Sequence, residues 1–587
     1  MNADEVRRRA EAWGAADPDP ETVAELRALL VRGADAELTD RFGSSLEFGT
    51  AGLRAIIGAG PNRMNRAVVR RTTAALARYL KAQVPGVVQR GVVVGRDARR
   101  MSREFAEDTS AVLAAEGIPA LYFADPVPTP VTAFAVKHLG AAGGVMVTAS
   151  HNPPAYNGYK VYWENGAQII PPHDQGIASE IEKVEPADRV RLIAQAQARE
   201  AGLWRPVAED VSRAYLAGIA SLRVHPEIQC DLKIAYTPLH GVGGAWFQAA
   251  MSAARIGGMH VVPQQSEPDP AFPTVAFPNP EEPGAMDLTR ELAEQLGADL
   301  AIANDPDADR LAVMARDSEG KLCALTGNEV GVLLGHYLLT HSTAGGGRPL
   351  VITTIVSSRQ LGDIARRLGA RFEETLTGFK WIANRALQLE KEEGVRFVFG
   401  YEEALGYAAG TLVRDKDGVG AAVVFSDLAC WCRSRGLTPA DYLERIHREF
   451  GLYVSSQKSF TFPGPQGAAA IAAIMEAFRR DPPARIGGLA VQAVMDYGTG
   501  QALVAGRSRA LQLPSSNVIA YELDGGSRVT LRPSGTEPKI KCYFELKENL
   551  NDGEPLSQAR RRADEKLRRL EGAFLALAEQ RVHPSQT

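Results

Sequence analysis

The chain has 587 residues, 45% of them hydrophobic and 23% charged, with a formal net charge of −4. That length exceeds one hydrophobic core and predicts several domains, while the near-balanced charge excludes the electrostatic footprint of a nucleic-acid or anionic-membrane binder and leaves a small-molecule partner. The five cysteines, Cys230, Cys323, Cys430, Cys432 and Cys542, are scattered and odd in number, and the charged N-terminus has no apolar run. Neither a disulfide framework nor a zinc knuckle nor a membrane span is expected, and the predicted setting is the reducing cytoplasm.

In chain order, Asp19-Pro20 followed by ETVAELRALLV predicts a capped amphipathic helix, an N-terminal extension before the first glycine-rich loop. Short β-branched runs then alternate with helical stretches: GVVVG, EFAEDTSAVLAAEG, ALYF, VTAFAVKHLG and GGVMV. The same α/β alternation returns after Gln229 and again from Arg348, predicting three such units in series. The last segment differs: strands in GLAVQAVMDYG, SNVIAYEL, SRVTLRPSG and KIKCYFEL are flanked by two helices, which reads as α+β. Residues 263–283 are a proline-rich loop, HSTAGGGRP at 341–349 is the clearest linker, and the tail RVHPSQT is expected to be disordered.

Three loops carry chemistry. In GGVMVTASHNPPAYNGYK an apolar strand ends in a polar loop that displays Ser150 beside His151, with Lys160 ten residues on, a hydroxyl with two proton carriers. A serine-hydrolase elbow needs glycine two places either side of the serine, and Thr148 and Asn152 stand there; a polar turn is the bland alternative. In DLAIANDPDADRLAV a strand runs into Asp305, Asp307 and Asp309, alternate residues that share a face and suit a hard cation such as Mg2+. An EF-hand is excluded because its glycine and glutamate positions fall on Arg310 and Arg316; a phosphatase-type DxD nucleophile and a solvated acidic turn are the alternatives. In SRVTLRPSGTEPKIKCYFEL the loop with Arg532, Ser534, Gly535, Thr536 and Lys539 offers a phosphate its donors, without any Walker sequence; a charged hairpin is the alternative. Arg54, Arg96 with Asp97, Lys380, and Glu402 with Glu403 each lie on a polar loop, mostly after a strand, bland singly but together suggesting loops that face one cleft.

With GTAGLR, TASHNP, DPDADR, GFK, GYEEALGY and RPSGTEP in this order, the sequence resembles the α-D-phosphohexomutase superfamily, and within it the phosphoglucomutase and phosphopentomutase branch, from roughly Arg41 to Leu570. The resemblance implies an extension over 1–40, three consecutive mixed α/β domains over 41–225, 226–344 and 345–458, and a TATA-binding-protein-like α+β domain over 459–587, around a central cleft. It implies further that Ser150 carries the transferable phosphate and shares one Mg2+ with Asp305, Asp307 and Asp309, and that Arg54, His151, Lys160 and Arg310 surround it. Lys380 would help distinguish sugar epimers, Glu402 and Glu403 would bind the sugar, and Arg532, Ser534, Gly535 and Thr536 would hold the distal phosphate.

Either Lys160 or His151 would be the general base, Lys160 if Arg54 and Mg2+ depress its pKa. The implied activity interconverts sugar 1- and 6-phosphates, or pentose 1- and 5-phosphates, through a bisphosphate that also activates Ser150, in a monomer or homodimer. A glucose-1,6-bisphosphate synthase is the alternative enzyme, and phosphomannomutase or phosphopentomutase the alternative main activity. The sugar loop departs from the common hexomutase pattern, with Ala404 for its serine, an added Leu405, and Tyr407 for its histidine, which resembles the pentomutase-containing branch.

Overall fold

The computed structural model describes residues 2–49, 52–342, 345–462, 467–534 and 539–582. The chain gathers into two compact units, Met1–Leu350 with Gly378–Pro439, and Val351–Thr377 with Ala440–Thr587.

The first unit opens with three helices, Ala3–Ala16, Pro20–Val31 and Asp35–Phe42, where the sequence predicts one. Asp19 caps the second as expected, accepting from the Glu21 N–H at 3.0 Å, and Pro20 sits where no N–H is needed. The first helix is rich in charge, and its small apolar side (Val6, Ala10) meets Leu26, Leu29, Leu38 and Phe42 in a core of its own.

Two sheets position the chemistry. The first comprises β1 (Leu53–Ile56), β2 (Val92–Arg96), β3 (Ala120–Tyr122), β4 (Gly143–Val147), β5 (Tyr156–Trp163) and β6 (Trp204–Pro206), in the order β1-β5-β4-β2-β3-β6. Strands β2, β3, β4 and β6 run parallel and β5 and β1 pair antiparallel. Helices Arg66–Gln83, Ser102–Ala115 and Thr129–His138 belong to this layer, which is why β4, buried at every position, is apolar throughout instead of alternating.

The second sheet repeats the plan with β7 (Ile234–Thr237), β8 (Met259–Val261), β9 (Leu300–Ala303), β10 (Ala312–Arg316) and β11 (Leu322–Ala324), ordered β11-β10-β9-β7-β8, parallel in β7, β8 and β9. The Ser150 loop leaves the C-terminal end of β4 and the aspartate loop leaves that of β9, the ends where open α/β sheets bind ligands. The first unit continues with a hairpin of Arg396–Glu402 and Gly406–Ala409 and with helix Gly418–Ser434, nearly all of it buried.

The second unit contains an antiparallel sheet whose main path runs through Leu452–Thr461, Lys539–Glu548, Arg528–Pro533, Ile519–Leu523, Leu489–Asp496, Gln501–Val504 and Arg507–Ala510. Helices Gly467–Arg480 and Leu556–Val582 share its apolar core. The predicted α+β character is present. The added hairpin Gln501–Val504 and Arg507–Ala510 has an exposed second strand, so it carries no apolar alternation to read. The 583–587 part of the tail lies outside the described residues.

One expectation is corrected. Cys230 and Cys430 are joined by a disulfide with Cα atoms 5.4 Å apart, leaving Cys323, Cys432 and Cys542 unbridged. A separation of 200 residues puts such a pair beyond any reading of local spacing, and it removes the cysteine-based argument for a reducing compartment. No described helix is long and apolar enough to cross a membrane.

Near that bridge, Asp427 has no exposed surface and accepts from Arg223 Nε at 2.8 Å, Tyr337 Oη at 2.9 Å, and the Val224 and His225 N–H groups at 2.7 and 3.1 Å. Removing its carboxylate strands a buried guanidinium. Asp427→Ala is expected to cost ~3 kcal/mol and to lower the thermal midpoint by several degrees; an unchanged melting curve contradicts the account.

Candidate active site

Ser150 sits at the tip of the loop after β4 with φ of 52°, a left-handed conformation that costs a non-glycine residue energy and must be held. Its N–H is accepted by Thr148 Oγ1 at 2.8 Å. The buried Arg99 does most of the holding: Nη2 donates to the carbonyls of Ser150 and Asn152, both at 2.5 Å, and Nη1 to those of Pro153 and Tyr156 at 3.0 and 3.3 Å. Asp97 steadies Arg99 in turn, accepting its N–H at 3.0 Å and lying 3.4 Å from Nε. Arg54 Nη1 donates to Asn152 Oδ1 at 2.9 Å. The sequence reading names Arg96 and Asp97 but not Arg99, whose signal was its place two residues after a buried aspartate at a strand end.

The aspartate loop is fixed from its ends. Tyr236 Oη donates to Asn304 Oδ1 at 2.9 Å, and Asn304 Nδ2 to the Arg310 carbonyl at 2.6 Å, closing the loop on itself. Two glycines allow its neighbours to come this near: a Cβ on Gly241 would stand 2.3 Å from Pro306 Cα, and one on Gly418 would stand 2.2 Å from the Arg310 carbonyl oxygen. The loop also reaches the turn after Glu402, through the Leu311 N–H to the Leu405 carbonyl at 3.0 Å and an antiparallel bridge of Arg310 with Gly406.

Ser150 Oγ donates to Asp305 Oδ2 at 2.6 Å and lies 3.1 Å from His151 Nδ1. Lys160 Nζ, from β5, donates to Asp307 Oδ2 at 2.8 Å and Asp309 Oδ2 at 2.9 Å; Thr129 Oγ1 donates to Asp307 Oδ2 at 2.6 Å. The carboxylates of Asp305, Asp307 and Asp309 bring one oxygen each within 4.8 Å of the others, all fully buried. Asp307 Oδ1 and Asp309 Oδ1 are buried without a hydrogen-bond partner, an arrangement expensive for anions and suited to a hard divalent cation. These residues therefore fit the metal that the sequence pattern predicts.

The local charge sets protonation. Burial, then Asp307 and Asp309, push the Asp305 carboxyl well above its ordinary range. Burial also opposes ionisation of Asp307, but the charge and hydrogen bond of Lys160 outweigh it and hold that carboxyl far below its usual value. For Lys160, burial and Arg54 act to depress the pKa, but Asp307 and Asp309 prevail and hold the ammonium above its ordinary value. His151 is the opposite case, kept neutral by burial, Arg310 and Arg54.

Glu402 is buried, accepts the Gly378 N–H at 2.7 Å, and has its pKa raised by burial. Glu403 lies half-buried in the turn after it. Tyr407 is fully buried with its hydroxyl donating to the Gly327 carbonyl at 3.2 Å, so it supports the loop from below. Lys380 is buried too: its Nζ donates to the Gly49 carbonyl at 3.2 Å and lies 4.0 Å from Asp174. Arg310 Nη1 is 3.4 Å from Glu281 Oε2.

The sequence reading also omits Lys416, whose Nζ is 3.2 Å from Asp309 Oδ2 and whose stem crosses Gly406, where a Cβ would meet it at 2.3 Å. Its signal was a charged VRDKDG run leading straight into the apolar helix that Asp417 caps. In the second unit, Arg532 and Ser534 end the strand Arg528–Pro533, with the Ser534 N–H donating to the Lys539 carbonyl at 2.8 Å. Gly535 and Thr536, like Thr50 and Ala51 of the first glycine-rich motif, lie outside the described residues.

Comparison with known proteins agrees with this geometry. The chain matches the four phosphoglucomutase/phosphomannomutase family models, alpha/beta/alpha domain I over residues 45–188, domain II over 213–320, domain III over 326–450 and the C-terminal domain over 464–550. It is 38% identical over 555 residues to a phosphopentomutase of Mus musculus, covering 91% of this chain and 89% of that one. It is 37% identical over 560 residues to a glucose 1,6-bisphosphate synthase of Homo sapiens, with the same coverage of 91% and 89%. A solved phosphoglucomutase/phosphomannomutase family protein from Burkholderia thailandensis shares the fold with a TM-score of 0.65 at 20% identity, over 92% of this chain and 98% of that one. Four consecutive domain matches, with a serine, three aspartates and their cationic partners assembled at two strand ends, place the chain in the phosphoglucomutase/phosphomannomutase family.

Proposed function

We propose that the protein is a phosphosugar mutase that moves a phosphoryl group between the 1-hydroxyl and the terminal hydroxyl of a sugar through phosphorylated Ser150. The carrying observation is the Ser150 hydroxyl bonded to Asp305 beside the buried Asp307 and Asp309, with Lys160, Lys416, Arg54 and Arg310 gathered around the three carboxylates. Such a gathering of cations suits a phosphate dianion placed on that serine.

Asp305, Asp307 and Asp309, with the phosphorylated Ser150, would hold one Mg2+, which when bound supplies charge neutralisation on the transferring phosphoryl oxygens. Arg54 and Arg310 bind and orient the phosphate. His151, neutral and 3.1 Å from Oγ, is the proposed general base, with Lys160, bonded to Asp307 and Asp309, the alternative. Glu402 and Glu403 bind sugar hydroxyls, and Lys380 acts on the sugar only through the loop it supports. Arg532, Ser534, Gly535 and Thr536 take the distal phosphate, and a sugar bisphosphate charges Ser150 at the start of turnover.

Pentose and hexose phosphates are both substrates in this reading. Ala404 offers no hydroxyl to a ring oxygen, so a sugar lacking the matching group leaves no polar partner unsatisfied. The similarity to a glucose 1,6-bisphosphate synthase supports a second reading, separated by incubating the protein with glucose 1-phosphate, with and without 1,3-bisphosphoglycerate. Bisphosphate that accumulates only with the glycolytic donor rejects the mutase.

Ser150→Ala is expected to lower kcat by at least ~1000-fold while the fold survives, because only the phosphate carrier is lost; turnover like the wild type's rejects the serine route. Lys160→Met leaves Asp307 without its bonded ammonium and Asp309 with Lys416 alone, so in EDTA its thermal midpoint should fall by an amount corresponding to ~3 kcal/mol. Added Mg2+ should raise that midpoint more than it raises the wild type's, and equal shifts would falsify the metal assignment. Across a panel of sugar 1-phosphates, ribose and deoxyribose should react with kcat/KM within roughly two orders of magnitude of glucose; a gap beyond ~10,000-fold shows that specificity lies outside the sugar loop.

A further inference from the structure

The proline-rich segment 269–282, which the sequence reads only as a loop, touches three groups of the site. The Phe272 ring lies 4.9 Å from the Arg99 guanidinium carbon, Phe277 stands 6.3 Å from the His151 ring, and Glu281 pairs with Arg310. We propose that this segment braces the phosphoserine loop, with Phe272 as a positioning residue that acts through Arg99 to keep the Ser150 phosphoryl group away from water. The proposal rests on the mutase reading above and adds to it what decides whether phosphate goes to sugar or is lost.

Both Nη nitrogens of Arg99 are spent on carbonyls of the Ser150 loop, so the face of the guanidinium is where a neighbour fixes it without competing for them. Phe272 occupies that face while only 3% exposed and itself at a left-handed φ of 48°. Two left-handed residues, Phe272 and Ser150, are thus bridged by one guanidinium.

The segment is anchored in turn. His240 Nε2 and Gln265 Nε2 meet Thr274 Oγ1 at 2.8 and 2.9 Å, Thr237 Oγ1 donates to Gln265 Oε1 at 2.6 Å, and the Asp269 N–H donates to the His240 carbonyl at 3.0 Å. Ser150 is accordingly 2% exposed.

Phosphoserine can lose its group to either of two acceptors. A sugar hydroxyl attacks phosphorus, the P–Oγ bond breaks, and the hydroxyl proton ends on Oγ. Water can do the same, with its oxygen forming the new P–O bond, one of its protons ending on Oγ, and inorganic phosphate released. A loop held rigid favours the bound sugar over water, and a loosened one narrows that preference.

The test labels the full-length protein with glucose 1,6-bisphosphate carrying radioactive phosphate. It then measures, per labelled molecule, loss to water and transfer to added glucose 1-phosphate. Phe272→Leu keeps the bulk and removes the ring face; the water-to-sugar ratio should rise at least about fivefold, and Phe272→Tyr should restore it to within about twofold of wild type. Because both rates are read on phosphorylated molecules only, a partly unfolded variant does not blur the ratio. A Leu variant with the wild-type ratio overturns the brace and leaves the mutase standing. Wild-type protein that takes no label on Ser150 overturns both.

Discussion

Three carboxylates buried within bonding distance of one another would repel and resist desolvation if left alone. Much of the first unit can be understood as a response to that constraint. Strand β5 delivers Lys160 between Asp307 and Asp309, the segment before helix Gly418–Ser434 delivers Lys416 to Asp309, and Thr129 adds a hydroxyl to Asp307. Buried charge of this kind is poor material for stability, since apolar side chains of equal volume would pack at less cost. Its use lies in a preset field, already oriented before substrate arrives, where a phosphoryl group gains most from fixed charges in a dry site.

The same constraint explains where the backbone departs from regular geometry. Ser150 and Ala308, one in each loop, are both left-handed, and Gly241 and Gly418 flank the aspartate loop where no side chain fits. Strain gathers at the site and is borne by regular structure beneath it: parallel β4 and β9, buried throughout, end where the loops begin.

Much of this was legible in the sequence because the signals were local. Apolar runs ending in SHNP or DPDADR are contiguous, and the expected meeting of Asp305, Asp307 and Asp309 is present, though through a turn with Ala308 left-handed instead of the alternation of an extended segment. What escaped the sequence was everything made by approach in space. Arg99 matters because four carbonyls from a loop some fifty residues away converge on it, Lys416 because it crosses a glycine to reach Asp309, and Cys230 because its partner is 200 residues distant. Lys160 is a further case, since the carboxylates it bonds, Asp307 and Asp309, lie 147 and 149 residues away along the chain.

The backbone link between Arg310 and Gly406, with Leu311 bonded to Leu405, has a bearing on how such enzymes diversify. The turn that would choose the sugar and the turn that would hold the metal share a short piece of antiparallel ladder, so a displacement of one is carried to the other. Grafting a foreign sugar loop alone would import a mismatch at the ladder, whereas exchanging residues 304–311 and 402–418 as a pair would carry the whole joint across.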